Sequence, residues 1–158
     1  MNKMQKKAPT RLLIGMLIVT MGLIVLDQVV KQFVRSQVPS GESRTVIPHL
    51  LSITNITNSG AAWSFLAGNS WLFILIAIGA AAIFLYLMYK EQNNSWIMGC
   101  LGLMLAGTIG NLVDRIVYGA VTDFVQLDFM QFPIFNLADC YLTLGVGLIL
   151  VRLIVKED

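Results

Sequence analysis

The sequence predicts an all-α membrane protein, a four-helix transmembrane bundle with a small β element on its extracytoplasmic face. Of its 158 residues, 56% are hydrophobic and only 13% are charged, and the mean hydropathy is +0.73. Several apolar runs reach the roughly 20 residues that a spanning helix needs. One connecting segment alternates between apolar and polar residues, as a half-buried strand does. We treat residues 1–158 as a single membrane domain.

Four segments are predicted to span the membrane, at about residues 12–34, 71–89, 96–113 and 137–155. The middle two are uncharged, whereas the first contains Asp27 and Lys31 and the fourth contains Asp139 near its start. A cleaved signal peptide is the alternative for the first segment, because basic residues precede it. Residues 34–38, which follow it, contain no small-x-small cleavage site, so we expect this segment to remain as a helix.

The distribution of positive charge predicts the orientation, since Lys and Arg collect on the cytoplasmic side of a membrane. With the N-terminus inside, seven basic residues lie in the cytoplasm and four lie outside, namely Lys31, Arg35, Arg44 and Arg115. Both termini are therefore expected in the cytoplasm, and the loops at about 36–70 and 114–136 outside. The net charge of +2 then reflects topology, and we expect no nucleic-acid partner.

The first outer loop contains the predicted β element. Residues 45–47 and 51–57 are β-prone, and the second run alternates apolar and polar residues. Residues 60–66 are expected to form a short interfacial helix or loop. In the third span, Gly102, Ala106 and Gly110 are spaced by four residues, which lets helix backbones approach closely.

Five of the nine acidic residues are predicted at or near the outer ends of spans: Asp27, Asp114, Asp123, Asp128 and Asp139. Carboxylates at such places are costly and indicate function. Because the third span runs outward and the fourth inward, Asp123 and Asp139 can meet on one face. Two neighbouring carboxylates share a proton. Such a pair can hydrolyse a peptide bond, with one group as base while the other polarises the carbonyl.

The same aspartates also fit structural roles. Asn136 can cap the fourth helix with Asp139 three residues later, where a negative charge suits the helix dipole. Asp123 can be an ordinary turn residue. Asp27 and Lys31 form an i,i+4 pair with the acid first, which favours an ion pair that eases the exit of the helix into the interface.

The end of the third span leaves two interpretations open. Asn111 lies three residues before Asp114 and four before Arg115, so these side chains share one side of the helix. They can form a structural polar cluster that ties the helix end to the loop. Alternatively, they hold the backbone of a substrate or orient an aspartate.

Other chemistries lack a supporting pattern. The sequence contains no HExxH and no GxSxG motif, and its single histidine, His49, is expected in a loop. A pair of Lys31 and Ser64 has no local support. Cys100 and Cys140 lack metal-ligand spacing, so neither a metal nor a cofactor is expected. A small cation transporter and a structural subunit remain as alternatives, although the uncharged middle spans argue against transport.

Five segments, in this order, resemble those of bacterial lipoprotein signal peptidases (signal peptidase II). They are Asp27-Gln28-Val29-Val30-Lys31, Asn58-Ser59-Gly60-Ala61-Ala62-Trp63, Gly110-Asn111-Leu112-Val113-Asp114-Arg115, Val121-Thr122-Asp123-Phe124 and Phe135-Asn136-Leu137-Ala138-Asp139. The likeness runs from about Leu12 to Val151. Val30 and Trp63 depart from the usual family pattern, and neither touches the expected chemistry.

The resemblance implies an aspartic endopeptidase of the bacterial cytoplasmic (inner) membrane. Its substrates would be diacylglyceryl-modified prolipoproteins, cut before the lipidated cysteine to release the signal peptide, and membrane lipids would be further partners. Asp123 and Asp139 match the catalytic dyad of the family. The positions that line or support the site are matched by Asn58, Asn111, Arg115 and Asn136, and further motif positions by Asp27, Lys31 and Asp114.

Overall fold

The computed structural model describes residues 9–60 and 70–156. In chain order they form α1 (Pro9–Gln37), β1 (Ser43–Ile47), β2 (Leu51–Asn58), α2 (Ser70–Lys90), α3 (Ser95–Tyr118), β3 (Val121–Leu127) and α4 (Leu137–Lys156). By length and composition, each of the four helices can cross a membrane. The predicted combination of four helices and a small sheet is confirmed. The segment predicted at 60–66 lies, apart from Gly60, outside the described residues.

Helix α3 is the central helix and packs against α1, α2 and α4. In its apolar window 61% of the residues are buried, against 11%, 11% and 17% in the other three helices. Glycines on α3, which have no side chain, allow this helix to approach α1 closely. A Cβ on Gly102 would lie 2.9 Å from Oγ1 of Thr20, and one on Gly110 would lie 2.7 Å from Oδ2 of Asp27. The prediction of close packing along this glycine face is confirmed.

Helix α3 continues to Tyr118 instead of ending near residue 113, where its apolar run stops. The side chain of Asp114 is fully buried in the helix bundle. Its burial is possible because the ammonium of Lys31 on α1 lies 3.3 Å away and compensates its charge. The helix ends at Gly119, whose φ of 76° is favourable for glycine and whose N–H binds the carbonyl of Arg115. That turn directs the chain back along the helix end into β3.

The three strands form one antiparallel sheet in the order β1-β2-β3. The strands predicted at 45–47 and 51–57 are confirmed as β1 and β2, and His49 lies in the turn between them with a φ of 62°. Asp123 lies within β3 and pairs with Ile56 of β2, so its interpretation as a turn residue is wrong. The sheet packs on the end of α1 through a small core of Val34, Val38 and Phe124.

Candidate active site

The two predicted catalytic aspartates contact the same residue at the end of the bundle where the sheet lies. The side-chain amide of Asn136 donates to Oδ1 of Asp123 at 2.6 Å. The backbone N–H of Asn136 donates to Oδ2 of Asp139 at 3.2 Å. Asp123 comes from β3 and Asp139 from the first turn of α4. The structure therefore brings the two carboxylates together, as the loop topology predicted.

Asn136 also caps helix α4. Its Oδ1 accepts from the backbone N–H of Asp139 at 3.0 Å, while its own backbone N–H donates back to the carboxylate of Asp139. This reciprocal pattern is a capping box. The structural role considered from the sequence is thus present, and it coexists with the bond to Asp123. The cap fixes the first turn of α4 and with it the position of Asp139.

Two further asparagines bind the aspartates. The Nδ2 of Asn111 donates to Oδ1 of Asp139 at 2.8 Å, and the Nδ2 of Asn58 donates to Oδ2 of Asp123 at 2.8 Å. We call Asn58, Asn111, Asp123, Asn136 and Asp139 the amide-linked cluster. Among the described residues, no cation forms an ion pair with either of its aspartates, so their side-chain partners are neutral amides.

Asp123 is only 4% exposed, and burial raises its pKa from an ordinary value of 3.8 to about 6. The bonds from Asn58 and Asn136 and the positive charge of Lys31 hold this pKa down, whereas the neighbouring carboxylate of Asp139 raises it further. The result is a carboxyl group that exchanges its proton near neutral pH. Such a group is suited to general acid–base catalysis.

A second polar group lies behind the first. The ammonium of Lys31 is 3.0 Å from Oδ2 of Asp27 and 3.3 Å from Oδ2 of Asp114, and all three side chains are completely buried. We call these three residues the ion-paired cluster. The predicted pair of Asp27 and Lys31 is therefore present, but it does not ease an exit into the interface. Asp114 of α3 binds the same ammonium, and the ion pair is buried within the bundle.

Arg115 lies at the edge of the site. Its guanidinium donates to the carbonyl oxygens of Asn111 at 3.4 Å and Gly60 at 3.3 Å, and it stands 5.0 Å from the centre of the Phe73 ring. Arg115 forms no ion pair within residues 9–60 and 70–156. Arg115 also lines the cleft described below.

Sequence reasoning missed two residues of α1. The Nε2 of Gln28 lies within 3.2 Å of Asp27, Asp114 and the carbonyl of Gly110. Arg35 donates to Oγ1 of Thr122 at 2.8 Å and lies 3.6 Å from Asp114. A signal was present, because residues 27, 28, 31 and 35 form a polar stripe at helical spacing.

An open cleft of about 1260 Å³ lies against the amide-linked cluster. Its polar lining includes Asn58, Asn111, Arg115, Asp123 and Asp139, and its apolar lining includes Met130, Phe132, Ile134, Phe135 and Leu144. Cys140 lines the cleft, whereas Cys100 is buried. In the described part of the chain, no group of three His, Cys, Asp or Glu residues could hold a metal ion. Ser64 lies outside that part.

Comparisons with known proteins show what the chain is similar to. Residues 19–155 match the family model described as "Signal peptidase (SPase) II". The chain is 43% identical to the lipoprotein signal peptidase of Lactiplantibacillus plantarum over 90% of this chain and 95% of the relative. It is 41% identical to that of Enterococcus faecalis, over 94% and 92%.

Two solved bacterial membrane enzymes have a similar structure. One superposes with a TM-score of 0.86 at 35% sequence identity, covering 91% of this chain and 90% of the other. The second gives a TM-score of 0.81 at 37% identity, covering 88% and 92%. The fold described above therefore occurs in experimentally determined membrane enzymes.

Proposed function

Because the chain belongs to the signal peptidase II family of aspartic peptidases, we propose that it removes signal peptides from diacylglyceryl-modified prolipoproteins, with Asp123 and Asp139 as its catalytic pair. One observation supports this assignment most directly. Asn136 donates a hydrogen bond to each of the two carboxylates, and both aspartates line the same cleft. The relatives are named lipoprotein signal peptidases, which supports prolipoproteins as the substrates.

In the proposed reaction, the scissile peptide lies in the cleft with its carbonyl beside the two carboxyl groups. The ionised carboxylate takes a proton from a water molecule, whose oxygen attacks the carbonyl carbon. The protonated carboxyl donates to the carbonyl oxygen as negative charge develops there. The proton taken from water then passes to the leaving nitrogen as the C–N bond breaks, and the other carboxylate takes back a proton from a hydroxyl of the tetrahedral intermediate. Burial raises the pKa of Asp123 to about 6, so this carboxyl holds a proton more readily than an ordinary aspartate does.

The neutral amides suit this chemistry. Asn58, Asn111 and Asn136 hold the two carboxylates in place without a formal charge that would suppress proton uptake. Arg115 has a different position, at the edge of the cleft with its charge available. We assign it to hold carbonyl oxygens of the substrate backbone, since a guanidinium offers several donors in a fixed geometry.

The cleft also suits a lipidated substrate. Its volume of about 1260 Å³ exceeds the roughly 300–1,000 Å³ of ordinary small-molecule sites. Its lining combines both aspartates with the apolar side chains of Met130, Phe132 and Ile134. A peptide with a lipid-bearing cysteine has the matching combination of polar backbone and apolar chain. We therefore place the bond before the lipidated cysteine at the aspartates.

We further propose that the protein is a multi-pass protein of the bacterial cytoplasmic (inner) membrane with both termini in the cytoplasm. The distribution of Lys and Arg supports this orientation. The sheet and the amide-linked cluster lie together at one end of the bundle, and this orientation puts them on the outer face. Lipid-anchored precursors are held at that interface, so the reaction takes place at the depth of the anchor.

The test is to replace Asp123 and Asp139 singly by Asn and to measure signal-peptide release from a lipidated precursor. Each substitution should lower kcat by about 10³-fold, because one acid–base group is lost. Asp128→Asn is the matched control, since Asp128 lies at the end of the same sheet and binds Ser52 and Gln126 instead. It should retain the wild-type rate.

The same precursor without its diacylglyceryl group tests the substrate assignment. We expect the wild-type protein to release the signal peptide from this precursor far more slowly than from the lipidated form. Near wild-type turnover in either aspartate variant would exclude the catalytic pair. Equal release from the two precursors would exclude the requirement for the lipid.

A further inference from the structure

The backbone immediately before the first proposed catalytic aspartate is held by the ion-paired cluster. Oδ2 of Asp114 accepts a hydrogen bond from the N–H of Thr122 at 2.9 Å. Thr122 precedes Asp123 in β3, whereas Asp114 belongs to α3. This bond therefore fixes the strand to the central helix one residue before the carboxylate that does the chemistry.

The second proposed catalytic aspartate is held in the same way. Oδ1 of Asp27 accepts a hydrogen bond from the N–H of Ala138 at 3.0 Å. Ala138 precedes Asp139 in the first turn of α4, and Asp27 belongs to α1. The N–H groups of a first helical turn have no partner within the helix, so Asp27 supplies one and ties the start of α4 to α1.

Lys31 joins these two attachments. Its ammonium lies 3.0 Å from Asp27 and 3.3 Å from Asp114, and it donates to Oδ1 of Asn111 at 2.9 Å. The three hydrogens of the ammonium thus have three acceptors. A lysine enclosed within membrane helices is costly and indicates a functional role. The proposed reaction does not use this lysine directly.

The bond to Asn111 adds a second effect. Because the ammonium only donates, it requires the amide oxygen of Asn111 to face Lys31, and the amide nitrogen therefore faces Asp139. A reversed amide would present its oxygen to the carboxylate and lose the donor. Lys31 thereby selects the orientation in which Asn111 stabilises Asp139.

We propose that Lys31 is a positioning residue that sets the separation of Asp123 and Asp139. It does so by joining the two carboxylates that hold the backbone before each aspartate and by orienting Asn111. This inference rests on the proposed catalytic pair. Catalytic groups must be held in a narrow geometry, and a displacement of about 1 Å lowers a rate by roughly 10²-fold.

The test separates positioning from charge balance. Lys31→Met alone leaves buried carboxylates without their cation and is expected to destabilise the protein. The double variant Lys31→Met/Asp27→Asn removes one positive and one negative charge, and it keeps Asp114 near Arg35. It should recover the unfolding midpoint, while kcat on the lipidated precursor stays about 10²-fold low and KM changes by less than about threefold.

Thr20→Val is the matched control for packing. Thr20 lies on the same helix, is 3% exposed and donates to the carbonyl of Gly102 on α3 at 3.4 Å, far from the aspartates along the helix. It should lower stability slightly and leave kcat unchanged. The positioning role would be overturned if the double variant recovered both its stability and its kcat. It would also be overturned if Thr20→Val lost kcat in proportion to its loss of stability.

These outcomes are distinguishable from a failure of the proposed function. If Asp123→Asn or Asp139→Asn retains wild-type turnover, the catalytic pair itself is wrong. If both aspartate variants are inactive and the Lys31→Met/Asp27→Asn variant has a normal kcat, only the role of Lys31 is overturned.

Discussion

Two pairs of aspartates meet at the same end of the bundle, and they differ in what lies between the members of each pair. Asp27 and Asp114 enclose the ammonium of Lys31 with no exposed surface. Asp123 and Asp139 are joined through the neutral amide and backbone of Asn136 and border an open cleft. The first pair thus has its negative charge compensated by the buried Lys31 and by Arg35, which lies 3.6 Å from Asp114, whereas the second is accessible to a substrate.

This difference shows how one residue type serves two purposes in one protein. A buried carboxylate beside a cation has its charge compensated by a fixed partner, and its oxygens can hold backbone N–H groups in place. A buried carboxylate among amides keeps a proton equilibrium that a reaction can use. Removing a carboxylate should therefore mainly lower stability in the ion-paired cluster and mainly lower activity in the amide-linked cluster.

The largest expected difference is in stability. Asp27→Asn breaks the shorter of the two buried ion pairs of Lys31 and leaves Asp114 as its carboxylate partner, which should lower the free energy of unfolding by about 3–5 kcal/mol. Asp123→Asn removes a carboxylate without a cation partner, so its loss of stability should be small although its activity is lost. Unfolding midpoints of the two variants in the same detergent measure this. Equal losses would show that the distinction between the clusters is wrong.

The next effect is a pH dependence that arises from Asp123 of the amide-linked cluster. The pKa of Asp123 is raised to about 6 in the folded protein from 3.8, so the folded state binds the proton more tightly than the unfolded state. The resulting stabilisation is complete below pH 4 or so and is lost as the pH rises through about 6. It amounts to at most about 3 kcal/mol.

Thermal midpoints of the wild-type protein and Asp123→Asn across this pH range check the sign. The wild-type protein should lose stability relative to the variant between about pH 4 and pH 6. Groups distant from Asp123 affect both proteins alike, so the difference reports this carboxyl together with its interaction with Asp139. A constant difference across the range would contradict the raised pKa.

The smallest effect concerns the packing that supports the ion-paired cluster. A Cβ added at Gly110 would lie 2.7 Å from Oδ2 of Asp27 and 3.2 Å from Cβ of Ala138. Gly110→Ala should therefore cost about 1–3 kcal/mol through overpacking. Gly147→Ala in α4 is the control, because nothing lies within 4 Å of its added Cβ. It should be neutral or stabilise the helix by up to about 1 kcal/mol, and a comparable loss there would exclude this explanation.

Much of the architecture was predictable because it depends on local patterns. Uncharged runs of spanning length define helices, and the alternation at 51–57 defines β2. The direction of the third and fourth spans was enough to bring Asp123 and Asp139 to one face. The capping residues also followed from the spacing of Asn136 and Asp139.

The ion-paired cluster was harder to predict because its bonds join residues far apart in sequence. The bond from Ala138 to Asp27 spans 111 positions, and no periodicity within one segment indicates it. Asp114 marked the end of an apolar run, and partners from other elements, among them Lys31 and Gln28 of α1, allow its burial where α3 continues past it. The i,i+4 pair of Asp27 and Lys31 was therefore predictable from the sequence, but its burial against Asp114 was not.

The capping box at the start of α4 has a consequence for inhibition. One oxygen of Asp139 accepts from Asn111 and the other from the backbone of Asn136, so the plane of this carboxylate is set before any ligand arrives. When a small molecule binds there, the carboxylate loses little rotational entropy. The conformational entropy cost of binding therefore comes mainly from the small molecule. A rigid scaffold whose hydroxyl is already directed at the carboxylates would gain affinity from its own stiffness.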